Sequence, residues 1–184
     1  MTTTAILILV LIAIVIAVGV ILFLQRRRSD TLRKQFGPEY QHAVGKFGDE
    51  RKAEAELAAR EKRVRSLQIR TLTPDEQARF SGAWKMAQAE FVDAPVAAAT
   101  KADLLVQDLM QTRGYPVGDF EQRAADISVD HPNLVTNYRA AREIALRNNA
   151  GQATTEEIRQ AMVHYRSLFE ELLNGNTNPK EPAR

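Results

Sequence analysis

From Ala5 to Leu24 the chain reads AILILVLIAIVIAVGVILFL, twenty residues without a charge. At about 1.5 Å of rise per helical residue, this run matches the roughly 30 Å hydrocarbon core of a bilayer. The expected arrangement is therefore a single transmembrane helix with the rest of the chain folded on one side. A cleaved secretory signal would need a basic leading region, a shorter apolar core of about 7–15 residues and a small-residue cleavage site. Only MTTT precedes the run, and none of the three features is present. A water-soluble helix apolar on every side would need apolar partners on every side, and the remaining sequence has too few large apolar residues to supply them. Gly19 is the sole glycine of the run, so it carries no GxxxG dimer face.

Charge sets the expected orientation. The run is followed by Arg26, Arg27, Arg28, Arg33 and Lys34, interrupted by one acid, Asp30. Cationic residues flanking a span stay in the cytoplasm, which puts the N-terminus outside and the C-terminal body inside. The same five cations are expected to meet anionic lipid headgroups, at about 1 kcal/mol each. The bias extends further: residues 26–70 hold thirteen Lys/Arg against seven Asp/Glu, and residues 71–184 hold twelve against sixteen. A basic membrane-proximal third thus precedes a mildly acidic body.

The body reads as all-α, since apolar residues recur with a period near 3.6 and no segment alternates with period 2. A polar helix is expected from Pro38, interrupted at Gly48, restarting at Asp49 and ending near Leu67. Glu56 with Arg60 and Glu61 with Arg65 fall at i,i+4 in the favourable order, while only Leu57, Val64 and Leu67 are large and apolar, the pattern of a solvated stalk or outer layer. Thr73-Pro74-Asp75-Glu76 is a capping box with proline at the first helical position, and Phe80, Trp84, Ala87 and Phe91 then share one face. Pro95 opens the next helix, with Ala98, Ala102, Leu105, Val106, Leu109 and Met110 inward and Gly114 at its end. In the less regular stretch that follows, Asp119 and Gln122 are placed to cap a short helix, and Asp130 or His131 to cap another that has Pro132 first. Thr154 to Glu157 forms a second capping box, followed by Ile158, Met162, Tyr165, Phe169 and Leu172 on one stripe and by Gly175. The expected organisation is an anchor at 1–25, a basic juxtamembrane segment and polar helix at 26–70, a bundle of four to five helices at 71–175, and a disordered tail at 176–184.

Chemistry is sparse. The chain has no cysteine, which excludes thiolate nucleophiles, zinc knuckles and iron–sulfur clusters. Phosphate-cradling glycine loops, zincin helices, nucleophile elbows and EF-hand loops are also missing from the sequence. The sharpest cluster is Asp126, Asp130 and His131, where a carboxylate and imidazole site for catalysis or metal is conceivable, although Asp-His-Pro ahead of a helix is more simply a cap. Arg60, Lys62, Arg63, Arg65 and Arg70 have no aromatic residues interleaved for base stacking, so no nucleic acid is expected. Tyr115, Pro116, Val117 and Phe120 place apolar groups on an irregular segment, the pattern of a protein-contact surface or of ordinary packing onto the core.

The segments FGPEY (36–40), AEAEL and REKRV (53–57 and 60–64), the Trp84 helix ending in FVDAP, and RGYPVGDFEQRAADISVDHP (113–132) resemble a family of short bacterial single-pass membrane proteins, often labelled hypothetical or secreted, that have a helical C-terminal domain. The resemblance spans nearly the whole chain. It implies a location in the bacterial inner membrane and brings no activity, cofactor or catalytic residue with it. The expected function is a membrane-tethered helical interaction or scaffold module without assigned catalytic, cofactor or metal residues. An enzyme or metal-binding module at Asp126, Asp130 and His131 is the alternative, and an extracytoplasmic envelope protein the reading if the topology is inverted.

Overall fold

The computed structural model describes the backbone of residues 2–175 and the side chains of residues 11–175. Among them are eight α-helices and no strand: α1 Thr2–Phe36, α2 Pro38–Phe47, α3 Glu50–Arg65, α4 Pro74–Glu90, α5 Pro95–Thr112, α6 Phe120–Asp130, α7 Pro132–Asn149 and α8 Thr155–Asn174. The all-α class therefore holds. The expected tail at 176–184 lies outside the described residues.

Local chemistry sets most boundaries. Gly37 and Pro38 separate α1 from α2, and α2 ends on Gly48 in the left-handed conformation at φ 69°. Asp49 then caps α3 by accepting a hydrogen bond from the Lys52 amide. The Thr73–Glu76 and Thr154–Glu157 capping boxes are both closed in each direction. Asp119 caps α6 through the Gln122 amide. Neither Asp130 nor His131 caps α7 with its side chain: the first accepts from Tyr115 and the second points into the core.

Two apolar clusters result. The larger joins α4, α5, α6, α7 and α8 around Trp84, Val106, Leu109, Ile127, Tyr138, Tyr165 and Phe169, with Trp84 stacked on Phe169 at 4.5 Å between ring centroids. The smaller consists of Leu32 and Phe36 of α1, Tyr40 and Ala43 of α2, and Ala53 and Leu57 of α3. Residues 26–70 are thus no detached stalk. Helix α3 lies on α6, and α2 lies on α7.

Helix α1 runs unbroken from Thr2 through the arginine cluster and seats Leu32 and Phe36 in this second cluster. Along Leu11–Leu24 the large apolar side chains are 49–63% exposed. Among the described residues no helix is long and apolar enough to cross a membrane. Six of the twenty residues of the run from Ala5 to Leu24 have side chains that lie outside the description. The described part, Leu11–Leu24, amounts to about 21 Å of helix, and Gln25 and then Arg26–Arg28 follow it.

Candidate functional site

The expected cluster of Asp126, Asp130 and His131 does not converge. Asp126 is fully buried and is held by Arg63, whose Nε and Nη2 donate to Oδ1 at 2.9 and 2.7 Å, and by Gln122 Nε2 at 3.0 Å from both oxygens. Asp130 accepts from the Tyr115 hydroxyl at 2.7 Å. His131 is buried, with Nδ1 3.4 Å from Glu171 Oε1 and Nε2 lacking a hydrogen-bond partner. Each member ties a different element, and among the described residues no group of three metal-ligating side chains assembles.

His131 has a structural consequence. Burial lowers its pKa below the usual histidine value, aided by Arg113 and opposed by Glu171 and Asp130. The unfolded chain then binds more protons than the folded one in the interval between the lowered value and about 6.5, so stability falls as pH drops through that interval. Exchanging His131 for glutamine removes this share. The urea midpoint of H131Q is expected to change less than that of the parent between about pH 7.5 and about pH 5.5; an unaltered loss would mean that His131 does not drive it.

At the contact surface anticipated at Tyr115–Phe120 the two aromatic rings turn inward and the residues between them are exposed. Tyr115 is buried, and Phe120 packs on Tyr138 at 4.8 Å between centroids, with the guanidiniums of Arg123 and Arg142 over its ring. Pro116, Val117, Gly118 and Asp119 are what this segment presents to solvent.

Two polar constructions went unread in the sequence. The first is an ionic seam between the α1–α3 layer and the bundle. Glu39, buried on α2, accepts from Arg60 Nη1 at 2.8 Å and from Arg139 Nη2 at 3.0 Å. Arg139 also reaches Glu121 at 3.1 Å, and Glu121 accepts from Lys46 at 2.8 Å. One carboxylate therefore links α2, α3 and α7, and the chain of charges continues to α6. The available signal was Glu39 itself, a carboxylate set between Phe36, Tyr40 and Ala43 on an apolar stripe.

The second is a cavity of about 160 Å³ between α5, α7 and α8. Asp103 and Tyr165 line it, with Arg142 and Asn148 on the α7 side and Ala99, Ile144, Ile158 and Ala161 as apolar wall. Asp103 Oδ2 accepts from Gln107 at 2.7 Å, whereas Oδ1 is buried without a partner. The Tyr165 hydroxyl is likewise buried without one. The signal in the sequence was Asp103, which stands among Ala99, Val106 and Met110 at the spacing of the buried face. A separate open groove of about 720 Å³ runs between α4 and α5, lined by Met86, Leu104 and Leu105 and edged by the Lys101–Glu90 and Arg79–Asp108 pairs.

Comparison with known protein families, with curated protein sequences and with solved structures finds no match to the chain.

Proposed function

We propose that this protein is a membrane-tethered helical scaffold: the run from Ala5 to Leu24 spans the bilayer, and the α2–α8 body docks partners at the cytoplasmic face. The observation that carries the reading is the continuity of α1. The helix that bears the apolar run also bears Leu32 and Phe36, which are 4% and 0% exposed inside the α1–α2–α3 cluster. With no loop between anchor and body, the tether fixes the height and facing of the body as well as its location, and confinement to a surface raises its effective concentration for a partner there. Solvent-exposed leucine, isoleucine and valine on all sides of Leu11–Leu24 would be costly in water, at about 25 cal/mol per Å² of apolar surface, and lipid removes that cost. The cations Arg26, Arg27 and Arg28 then fall at headgroup level. Arg33 and Lys34 lie about one to two turns further along the same helix, and Arg33 pairs with Glu50 at 3.0 Å.

The reading is tested by fractionation and by reporter fusions. The full chain is expected to pellet with membranes and to resist alkaline and high-salt washing, while a chain lacking residues 2–24 is expected in the supernatant. A reporter active only in the cytoplasm, fused after Arg184, is expected to give signal. Release of the full chain by washing would overturn the span, and signal only from a reporter active outside the cytoplasm would overturn the orientation.

A further inference from the structure

The cavity between α5, α7 and α8 has an unusual inventory for a packed bundle. Buried polar atoms are nearly always hydrogen-bonded, and an unsatisfied one costs about 1–3 kcal/mol. Here two lie together: Oδ1 of Asp103 and the hydroxyl of Tyr165, a residue 1% exposed. The hydroxyl and the carboxylate face each other closely enough for each to perturb the other's ionisation, but their geometry falls short of a hydrogen bond. Arg142 brings a guanidinium to the same wall. It rests on the Phe120 ring at 5.4 Å, and among the described residues it forms no ion pair or hydrogen bond. Arg123, the other nearby cation, is already engaged by the Tyr138 hydroxyl at 3.1 Å and the Gly118 carbonyl at 2.6 Å.

The vacant valences are complementary in kind. An open carboxylate oxygen calls for a cationic donor, and an open guanidinium fork calls for an anionic acceptor. A cation alone would meet Asp103 while adding to the charge of Arg142 and Arg123; an anion alone would meet Arg142 while facing the Asp103 carboxylate. A molecule with both charges a few ångströms apart satisfies both. The rest of the wall is aliphatic, from Ala99, Ile144, Ile158 and Ala161. The volume of about 160 Å³ is close to the roughly 150 Å³ cavity that takes up a benzene-sized molecule, which sets the scale of the guest.

We propose that this cavity binds a small zwitterionic α-amino acid with a short aliphatic side chain, its ammonium on Asp103 Oδ1 and the Tyr165 hydroxyl, its carboxylate on Arg142, and its side chain against Ile144 and Ile158. The guest bridges three helices, so binding closes α5, α7 and α8 on one another. Desolvation raises the Asp103 pKa, against the pull of Arg123 and Arg142; an ammonium at Oδ1 would favour the ionised form.

The test is calorimetric titration of the full chain in detergent micelles with L-alanine, L-valine and L-phenylalanine, and with n-propylamine and propionate as single-charge controls. Saturable binding of alanine or valine is expected, tighter than either control by tenfold or more, with phenylalanine excluded by size. Asp103→Asn, nearly isosteric, and Arg142→Gln are each expected to weaken it by roughly tenfold or more, the loss of one charge-assisted hydrogen bond, and Tyr165→Phe to weaken it less. Circular dichroism of each variant shows whether the helices persist. Absence of saturable binding in the parent chain, equal affinity for propylamine and valine, or full affinity in folded Asp103→Asn would each overturn the proposal. The last three readouts are independent of where the chain resides, so they stand apart from the membrane assignment.

Discussion

Glu39→Ala is expected to cost about 3–5 kcal/mol of stability, the range for removing one partner of a buried ion pair. Its carboxylate is 2% exposed and holds Arg60, which is 3% exposed, together with Arg139. Truncation leaves the buried Arg60 with only Glu56, at 3.2 Å and 36% exposed, and leaves Arg139 with Glu121. Glu39→Gln keeps the volume and one acceptor oxygen while losing the charge, so a smaller cost is expected. The loss should be local. Helices α2 and α3 are tied to α6 and α7 by this seam, by Arg63–Asp126 and by Val129 packed on their apolar cluster, whereas α4, α5 and α8 are joined by the Trp84–Phe169 core. Hydrogen exchange on the E39A chain is therefore expected to show protection falling first in α2 and α3 and persisting in α5 and α8. Uniform loss across all eight helices would mean that the α1–α3 layer and the bundle form one cooperative unit.

Gly114→Ala is expected to destabilise by about 3 kcal/mol or more, from two sources. Gly114 sits at φ 96°, a conformation that costs an L-residue about 1–3 kcal/mol. A Cβ there would also lie 2.4 Å from the carbonyl oxygen of Gln68, a backbone atom with little room to retreat. Residues 66–73 pass the end of α5 in non-helical form at this point: the Arg70 amide donates to the Arg113 carbonyl at 2.9 Å, and Arg113 Nη1 donates to the Leu172 carbonyl at 3.0 Å. The substitution therefore pushes apart the strap that leads into α4 and the buried Arg113 that ties it to α8. Thermal unfolding in micelles checks this, and a melting temperature within a degree or two of the parent would contradict it.

What the sequence revealed of this fold is what depends on near neighbours. The Thr73 and Thr154 boxes, Pro38, Pro74, Pro95 and Pro132 at helix starts, and Gly48 and Gly175 at helix ends act within one turn, so local pattern locates them. The apolar stripes of α4, α5 and α8 follow from a 3.6-residue period alone. Partners distant in sequence are a different matter. Arg60 reads as half of an exposed i,i+4 pair with Glu56, and that contact forms, but Glu39, 21 residues earlier, draws the side chain into the interior. Asp-His-Pro reads as a cap, yet His131 turns toward Glu171 on α8, which no local rule foresees. For the same reason Asp126, Asp130 and His131 are close along the chain and face different elements, while Asp103, Arg142 and Tyr165 are scattered along the chain and share one cavity.

The central claim, that one helix leaves the bilayer and enters the body without a joint, is most directly tested with nitroxide labels. The chain lacks native cysteine, so single cysteines can be placed along α1 at positions 12, 15, 18, 21, 25 and 29 and labelled in reconstituted vesicles. Collision with oxygen is expected to exceed collision with a water-soluble nickel chelate from 12 to 21, to reverse between 25 and 29, and to vary along this stretch without a mobile interval. Nickel accessibility at 15 and 18 equal to that at 29 would place the apolar run in water, and a sharply mobile label at 25 would reveal a hinge where a continuous helix is required; either result contradicts the account.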